Sequence, residues 1–215
     1  MKGIVFANQE KYLSAQRKKP DALISEMETF ACENQVPILV WNAADFLEML
    51  VRTSKPKRVL EIGMAIGYSS IRIARQLKKK STLHTIEKSE VNIKLATDFI
   101  NRAGLTQKIQ ILEGDALEIM PALKKKYDFI FLDADKQDYE KLFHYSLMLL
   151  KKNGIIFIDN LLWHGYAAAR NIPAKQKKST QIIRDFNKLF LSSPSLQSTI
   201  VPVGDGIGIG IKVRK

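Results

Sequence analysis

The sequence contains a single cysteine, Cys32, and no run of 18 or more apolar residues. One cysteine excludes an internal disulfide and is typical of a reducing compartment, so we expect a cytoplasmic location. A membrane-spanning helix needs about 20 consecutive apolar residues, and the sequence offers none. The apolar stretch within MKGIVFANQE is too short for a signal peptide. We expect Cys32 to be a small core residue, because it lies in a helical stretch.

Positive charge is abundant. The chain has 34 Lys and Arg against 22 Asp and Glu, a net charge of +12. This balance favours polyanions such as RNA as partners. Most of the basic residues occur in short runs where helices should end, and cations are favourable there. Solvated helix ends therefore explain the charge as well as an RNA partner does. The runs are Arg17 to Lys19, Lys78 to Lys80, Lys124 to Lys126, Lys151-Lys152 and Lys175 to Lys178.

Length and periodicity predict one domain spanning residues 1–215. Residues 1–57 have helical spacing and form a predicted extension that could cover a ligand crevice or mediate dimer contacts. From residue 58, five short apolar runs alternate with helical segments, which predicts a doubly wound α/β fold with a parallel sheet. Gly154 is expected to end the last of these helices, at 139–150. Two final strands flank Gly204 to Gly206 and predict a hairpin with one antiparallel edge strand.

The stretch from Arg58 to Ser70, RVLEIGMAIGYSS, predicts a strand, a glycine turn and a helix. Gly63 and Gly67 would let the backbone approach a ligand closely, and the N–H groups of the helix would point into the crevice. Glu61 stands just before the turn, where a carboxylate could meet a cationic group. The dinucleotide pattern G-x-G-x-x-G requires its second glycine at position 65, where Ala65 stands.

Each of the first five predicted strands ends in an acidic residue. Ligands of open α/β sheets bind at these carboxyl ends, so the arrangement suggests a site for hydroxyl groups, cations or both. Glu87 lies 24 residues after Gly63 and could accept hydrogen bonds from both hydroxyls of a ribose. The same spacing suits NAD, so Glu87 does not choose the ligand. The acidic ends are Glu61, Glu87, Asp115, Asp133 and Asp159-Asn160.

Asp133 and the pair Asp159-Asn160 lie at the ends of successive predicted strands. Two carboxylates and an amide carbonyl form an all-oxygen set that suits Mg²⁺ (or Mn²⁺) and lacks the His and Cys ligands of zinc. Helix capping or loop hydrogen bonds would explain any one of these residues. They explain less well why three such residues stand at neighbouring strand ends. Lys136 follows Asp133 by three residues; beside a metal it could lose its proton and accept one from a substrate hydroxyl.

Other polar residues lie near these strand ends in the sequence. Asp138 is expected to cap a helix, and Asp135 has no assigned role. His84 falls within a predicted strand and is expected to be structural. Trp163 and His164 directly follow the proposed metal pair and could line a substrate mouth or belong to a plain loop.

Together these segments resemble the metal-dependent branch of the class I S-adenosylmethionine (SAM) O-methyltransferases, which includes catechol and caffeoyl-CoA O-methyltransferases. The likeness covers nearly the whole chain. The resemblance implies a seven-stranded, mostly parallel Rossmann-like sheet and, in bacterial members, often a homodimer. The matching segments are VPIL before the first strand, VLEIGMAIGYS, TIE, GDA, FIFLDADK, IDNLLWHG and the terminal GDG.

The resemblance also implies a role for each motif. Lys136 would be the catalytic base, and the backbone of Pro37 to Leu39 would close over SAM. The methionine part of SAM would be lined by Glu61, Gly63, Tyr68 and Ser69, its ribose held by Glu87, and its adenine placed by Asp115 and Ala116. The metal ligands would be Asp133, Asp159 and Asn160, with Asp133 also counted at the SAM site.

The implied reaction moves a methyl group from SAM to a hydroxyl next to a second oxygen, both oxygens being chelated by the metal. The chain is similar to bacterial enzymes that methylate 5-hydroxyuridine at the wobble position of tRNA, in agreement with its charge. A small catechol or phenol is the alternative acceptor. An NAD-dependent oxidoreductase is disfavoured by Ala65. A non-catalytic SAM- or RNA-binding module is disfavoured by the complete set of metal and base residues.

Overall fold

Three helices precede the sheet in the computed structural model, which describes residues 6–214. Residues 1–5 of the predicted extension and Lys215 of the predicted core lie outside the described residues. Helix α1 buries none of its residues, and its Tyr12 side chain is 66% exposed. Helices α2 and α3 are amphipathic and pack on one face of the sheet. Their bounds are α1 (Ala7–Gln16), α2 (Ala22–Glu33) and α3 (Trp41–Ser54).

The sheet has seven strands in the order β3-β2-β1-β4-β5-β7-β6. Strands β1 to β5 pair in parallel, and β7 runs antiparallel to both of its neighbours. The predicted Rossmann-like sheet with an antiparallel pair at one edge is therefore confirmed. The strands are β1 (Arg58–Ile62), β2 (Thr82–Glu87), β3 (Ile109–Glu113), β4 (Tyr127–Leu132), β5 (Leu150–Ile158), β6 (Leu196–Val201) and β7 (Ile207–Lys212).

Helices cover both faces, so the central strands are buried on both sides. In β1, Val59 belongs to the cluster beneath α2 to α5, whereas Leu60 and Ile62 belong to the opposite cluster with α7 and α8. This two-sided burial explains why the strand reads as an almost continuous apolar run. The remaining helices are α4 (Tyr68–Gln76), α5 (Glu90–Arg102), α6 (Ala116–Ala122), α7 (Tyr139–Leu149) and α8 (Lys177–Ser192).

Two local predictions were wrong. Gly154 does not end a helix: α7 stops at Leu149, and Gly154 lies inside β5. A Cβ at Gly154 would lie 3.1 Å from the carbonyl oxygen of Asp128, so close packing against the neighbouring strand favours glycine there. Cys32 is exposed rather than buried, because it follows Ala31, the last residue of the buried stripe of α2.

The order of the parallel strands reverses between β1 and β4. Adjacent strands whose connections leave to opposite faces open a crevice at their carboxyl ends, and this is where ligands of doubly wound sheets bind. Between residues 6 and 214, no helix is both long enough and apolar enough to cross a membrane.

Candidate active site at the carboxyl ends of the strands

A cavity of about 520 Å³ opens at the carboxyl ends of β1, β2, β4 and β5. Residues of the N-terminal extension, Pro37 to Leu39, form part of its wall. All the predicted site residues except Glu61 line it. They are Gly63, Tyr68, Ser69, Glu87, Asp115, Ala116, Asp133, Lys136, Asp159 and Asn160. The structure thus brings predicted site residues from Gly63 to Asn160 together at one cavity.

The glycine turn after β1 runs directly against the end of β4. A Cβ at Gly63 would lie 1.8 Å from the carbonyl oxygen of Asp133, so a side chain cannot be accommodated. Gly67 is the N-cap of α4 and has φ +84°, a conformation that glycine adopts without strain. The turn therefore needs its two glycines for packing and for backbone geometry, and it holds Asp133 at the cavity wall.

Glu61 lies in the core beneath this turn rather than at the cavity wall. Its side chain is fully buried, and its Oε2 accepts hydrogen bonds from the hydroxyls of Ser70 and, at 2.6 Å, Thr85. Its Oε1 has no hydrogen-bond partner among the described residues. Burial, together with the negative charge of Asp133, raises the pKa of Glu61 to about 7. Glu61 therefore lies beneath the cavity and does not line it.

The Glu87 carboxylate connects the glycine turn to the start of α5. Its Oε2 accepts from the backbone N–H groups of Met64 (3.3 Å) and Ala65 (3.0 Å). Its Oε1 accepts from the N–H groups of Lys88 (3.0 Å) and Ser89 (2.9 Å). A carboxylate has about four lone pairs, so these four bonds use its capacity. Glu87 must give up backbone donors before it can accept from a ribose.

Asp115 has a structural role at the opposite side of the cavity. Its Oδ1 accepts from the backbone N–H of Leu117 at 2.8 Å and caps α6, and its Oδ2 lies 3.8 Å from Nζ of Lys88. Ala116, the first residue of α6, also lines the cavity. The cap fixes the N-terminus of α6 against the ligand space.

The side chain of Lys136 contacts three hydrogen-bond acceptors. Its Nζ donates to Asp133 Oδ1 (3.1 Å), to the carbonyl oxygen of Ala134 (3.0 Å) and to the hydroxyl of Tyr139 (2.6 Å). An ammonium has three N–H donors, so each has a partner. Tyr139 is fully buried and donates in turn to the carbonyl oxygen of Asp159 at 3.1 Å. Sequence reasoning missed Tyr139, although its position three residues after Lys136 was a usable signal.

Asp159 is a buried carboxylate beside a second one. It is only 4% exposed, and burial together with the negative charge of Asp133 raises its pKa to about 8. The same surroundings hold the pKa of the Tyr139 phenol well above its ordinary value. Neighbouring carboxylates at low exposure are stable as anions only with a cation beside them.

Asp205 fixes the orientation of Asn160. The Asn160 backbone is left-handed, with φ 62°, and its Nδ2 donates to Asp205 Oδ2 at 3.2 Å. No described residue donates to the side-chain oxygen Oδ1 of Asn160, which leaves this acceptor available at the cavity, whereas the backbone carbonyl oxygen accepts from the N–H of Trp163 at 3.2 Å. Asp205 Oδ1 also accepts from the backbone N–H of His164 at 2.5 Å. Sequence reasoning noted the surrounding GDG motif but gave Asp205 no role.

The donor set fits a divalent cation that prefers oxygen. Within residues 6–214, no group of three or more His, Cys, Asp or Glu is suited to a metal ion, so the set depends on the Asn160 amide. The raised pKa of Asp159 shows that the nearest protein cation, Lys136, does not fully compensate the two carboxylates. Carboxylate and amide oxygens without nitrogen or sulfur ligands are typical of Mg²⁺ and Mn²⁺ sites.

A strained loop after β5 forms the other wall. Three successive residues have left-handed backbone conformations: Trp163 (φ 47°), His164 (φ 55°) and Gly165 (φ 82°). This conformation is strained for the two residues that are not glycine. Trp163 and His164 line the cavity, and their rings are 5.2 Å apart. The contact between His164 and Asp205 holds the loop in this conformation. Of the two roles considered for these residues, lining the mouth agrees with their position.

Three other predictions have clear outcomes. Asp135 accepts from the backbone N–H of Gln137 at 3.1 Å and caps a short 3₁₀ turn. Asp138, expected to cap α7, stands at the N-cap position but makes no side-chain cap, so that prediction was wrong. His84 is confirmed as structural: its Nδ1 lies 2.8 Å from the hydroxyl of Tyr127 in the buried sheet.

The geometry agrees with comparisons to known proteins. The family model for O-methyltransferases matches residues 14–213. The chain belongs to this family. A catechol O-methyltransferase from Niastella koreensis is 31% identical over 99% of the chain and 95% of its own length. A caffeoyl-CoA O-methyltransferase from Populus kitakamiensis is 32% identical over 75% of the chain and 72% of its own length.

A solved structure extends this likeness to three dimensions. The O-methyltransferase TomG from Streptomyces achromogenes, in complex with SAM, superposes with a TM-score of 0.83 at 26% identity and covers 96% of each chain. The predicted resemblance to the catechol and caffeoyl-CoA O-methyltransferases is therefore confirmed, and so is the predicted enzyme class, the SAM-dependent O-methyltransferases. Family membership argues against an NAD-dependent oxidoreductase, as Ala65 already did.

Proposed function

We propose that this protein, as a single domain over residues 1–215, transfers the methyl group of SAM to a hydroxyl that has a second oxygen beside it, with the help of Mg²⁺ or Mn²⁺. The observation that supports it best is that Asp133, Asp159 and the unbonded side-chain oxygen of Asn160 lie at one cavity. These three side chains would hold the metal. The cation would supply positive charge that lowers the pKa of the acceptor hydroxyl.

SAM would occupy the part of the cavity next to the glycine turn and supply the methyl group. Gly63, Tyr68 and Ser69 would lie along its methionine part, Glu87 at its ribose, and Asp115 with Ala116 at its adenine. Glu61 would act from beneath the turn, where its unpartnered Oε1 favours a positive charge nearby. Pro37 to Leu39 would exclude water from one side.

Lys136 is the proposed base. It must first lose a proton, because all three of its N–H donors are in use. The neutral amine would keep its place, since it retains two N–H donors and the Tyr139 hydroxyl can still accept from it while donating to the carbonyl oxygen of Asp159. The distance of 2.6 Å to Tyr139 Oη therefore positions Lys136 in either protonation state.

For the acceptor we propose 5-hydroxyuridine in tRNA, whose hydroxyl stands next to a carbonyl oxygen. Four basic residues are exposed in the segment that follows Trp163 and His164 and at the start of α8: Arg170, Lys175, Lys177 and Lys178. They would contact a polyanion beside the crevice. The alternative is a small catechol- or caffeoyl-type acceptor, which the names of the relatives favour. Both acceptors offer two adjacent oxygens.

Transfer of labelled methyl from SAM tests these proposals. The two acceptors are tRNA carrying 5-hydroxyuridine and a catechol, each assayed with Mg²⁺ and with chelator. Chelator-sensitive labelling of tRNA in preference to catechol supports the RNA acceptor. Labelling of catechol alone supports the small-molecule alternative, and labelling that survives chelation contradicts the metal. SAM binding without any labelling contradicts both acceptors.

We also propose that the protein acts in the cytoplasm as a homodimer. Helix α1 supports the dimer, because it contacts no core and exposes Tyr12 and Leu13. A second copy could cover this helix. Light scattering after size exclusion should give twice the mass of 24.4 kDa, and a single-chain mass would contradict the dimer.

A further inference from the structure

Much of the positive charge lies at the amino ends of the parallel strands, the edge of the sheet opposite the cavity. The runs at 78–80, 124–126 and 151–152 directly precede or begin β2, β4 and β5. Because β7 runs antiparallel, its last residue, Lys212, and the following Arg214 reach this edge too. We name this region the amino-end surface; it comprises residues 53–58, 77–82, 103–109, 122–128, 150–153 and 210–214.

The basic segments form one continuous row. Neighbouring strand starts are joined directly, so the order along the edge follows the strand order from β3 to β7. With strands about 4.8 Å apart, the five strand starts and the end of β7 extend over about 24 Å. The joining contacts are Leu83 N to Lys108 O (2.8 Å), Thr82 N to Lys57 O (3.0 Å), Arg58 Nε to Lys126 O (3.0 Å), Lys151 Nζ to Asp128 Oδ1 (2.6 Å) and Lys212 Nζ to Leu150 O (2.9 Å).

Helix dipoles account for only part of this charge. Lys108, Lys126 and Lys212 donate to carbonyl oxygens at helix ends, as the dipole explanation requires. Asp128 is the only acidic residue of the amino-end surface, and Lys151 already pairs with it. A further set of exposed lysines has no side-chain partner among the described residues: Lys55, Lys57, Lys78, Lys79, Lys80, Lys124, Lys125 and Lys152.

We propose that the amino-end surface binds the phosphate backbone of RNA, as a contact region separate from the catalytic cavity. Lysines are flexible point charges that contact phosphates without reading bases. A row of about 24 Å is long enough to face several successive phosphates of one strand. An anionic membrane is the other polyanion to consider. It is disfavoured because the charges form a row, and the only exposed large apolar residues of the surface, Ile211 and Val213, stand at one end.

The inference reaches beyond the proposed function, because it requires RNA binding but no methyl transfer. The test measures fluorescence anisotropy of a labelled single-stranded RNA of about 20 nucleotides, over a series of salt concentrations. The test variant is Lys79→Gln, Lys124→Gln and Lys152→Gln combined. The matched control combines Lys19→Gln, Lys94→Gln and Lys141→Gln, three exposed lysines elsewhere. Both variants lose the same net charge.

The test variant should bind RNA at least tenfold more weakly than the wild type at about 0.1 M salt, and its log–log salt slope should shrink by about 2, or 0.7 for each lost contact. The control should change affinity less than threefold. Methyl transfer to a catechol-type acceptor, if the wild type performs it, and thermal unfolding should not change in either variant. Equal losses in both variants, or none in either, would overturn the inference. So would a selective loss of binding to phosphatidylserine vesicles with RNA binding intact.

Discussion

Asp205 accepts a hydrogen bond from the side-chain amide nitrogen of Asn160 at 3.2 Å, and this contact decides which end of the amide is free. Asp205 comes from the turn before β7, whereas Asn160 follows β5, so the contact joins two segments 45 positions apart. The second oxygen of Asp205 binds the backbone of His164. One carboxylate thus orients a proposed metal ligand and fixes the strained loop behind it.

Replacing Asp205 should therefore weaken metal binding without touching a ligand. In Asp205→Ala the Asn160 amide can rotate and the His164 N–H loses its acceptor, so we expect Mn²⁺ affinity to fall about 10- to 100-fold, the range typical of outer-shell changes. Calorimetric Mn²⁺ titration measures it, and SAM affinity serves as the internal control. Unchanged Mn²⁺ affinity in a folded variant would contradict the orienting role.

Removing a proposed ligand should have a larger effect on turnover. Asp133→Ala deletes one of two carboxylates and one acceptor of Lys136. We expect metal-dependent methyl transfer to fall to background, whereas SAM affinity should stay within a few-fold, because the glycine turn contacts Asp133 through its backbone. Activity at the wild-type level would refute the metal assignment. Gln137→Ala, a change in the same loop at a residue that does not line the cavity, is the matched control.

Metal binding should release protons. Without metal, Asp159 has a pKa of about 8, so its carboxyl is mostly protonated at pH 7 and must lose that proton to act as a ligand. Affinity should thus rise as pH increases toward 8, by up to about tenfold per unit, and level off above it. Calorimetry in two buffers of different ionisation enthalpy counts the protons released. Asp159→Asn should abolish the release of protons on metal binding, along with much of the metal affinity. If this variant released the same number of protons as the wild type, the protons would come from a group other than Asp159.

The sequence was sufficient for the architecture and for the neighbourhood of the site. Parallel strands place their carboxyl ends at one edge, so the acidic ends of β2, β4 and β5 could be assigned to one crevice from the order of elements alone. The glycines could be recognised as well, because few residues tolerate the backbone of such a turn. Strand ends are local features with a fixed geometric consequence.

The remaining features depend on contacts that no local pattern encodes. Glu61 was placed at the ligand because it precedes the turn, but side chains alternate along a strand and this one points into the core. The four backbone bonds of Glu87 require the turn and the start of α5 to meet. Asp205 required the pairing of β7 beside β5, which depends on tertiary packing.

The burial of Glu61 should make the free energy of unfolding depend on pH. Its folded pKa of about 7 lies above the ordinary value of 4.5, so the folded state binds more protons than the unfolded state between these values, and stability falls as pH rises through this window. The full loss corresponds to about 3 kcal/mol for this group.

Glu61→Gln copies the protonated acid and retains an acceptor for Ser70 and Thr85. From pH 5 to pH 8, the metal-free wild type should lose about 2.5 kcal/mol relative to this variant in urea unfolding, because a small part of the full loss has already occurred at pH 5. Asp159 also contributes to the pH dependence of both proteins, so the difference between them isolates Glu61. Parallel pH profiles for the two proteins would show that Glu61 is already ionised at pH 5, held by its hydroxyl donors despite its burial.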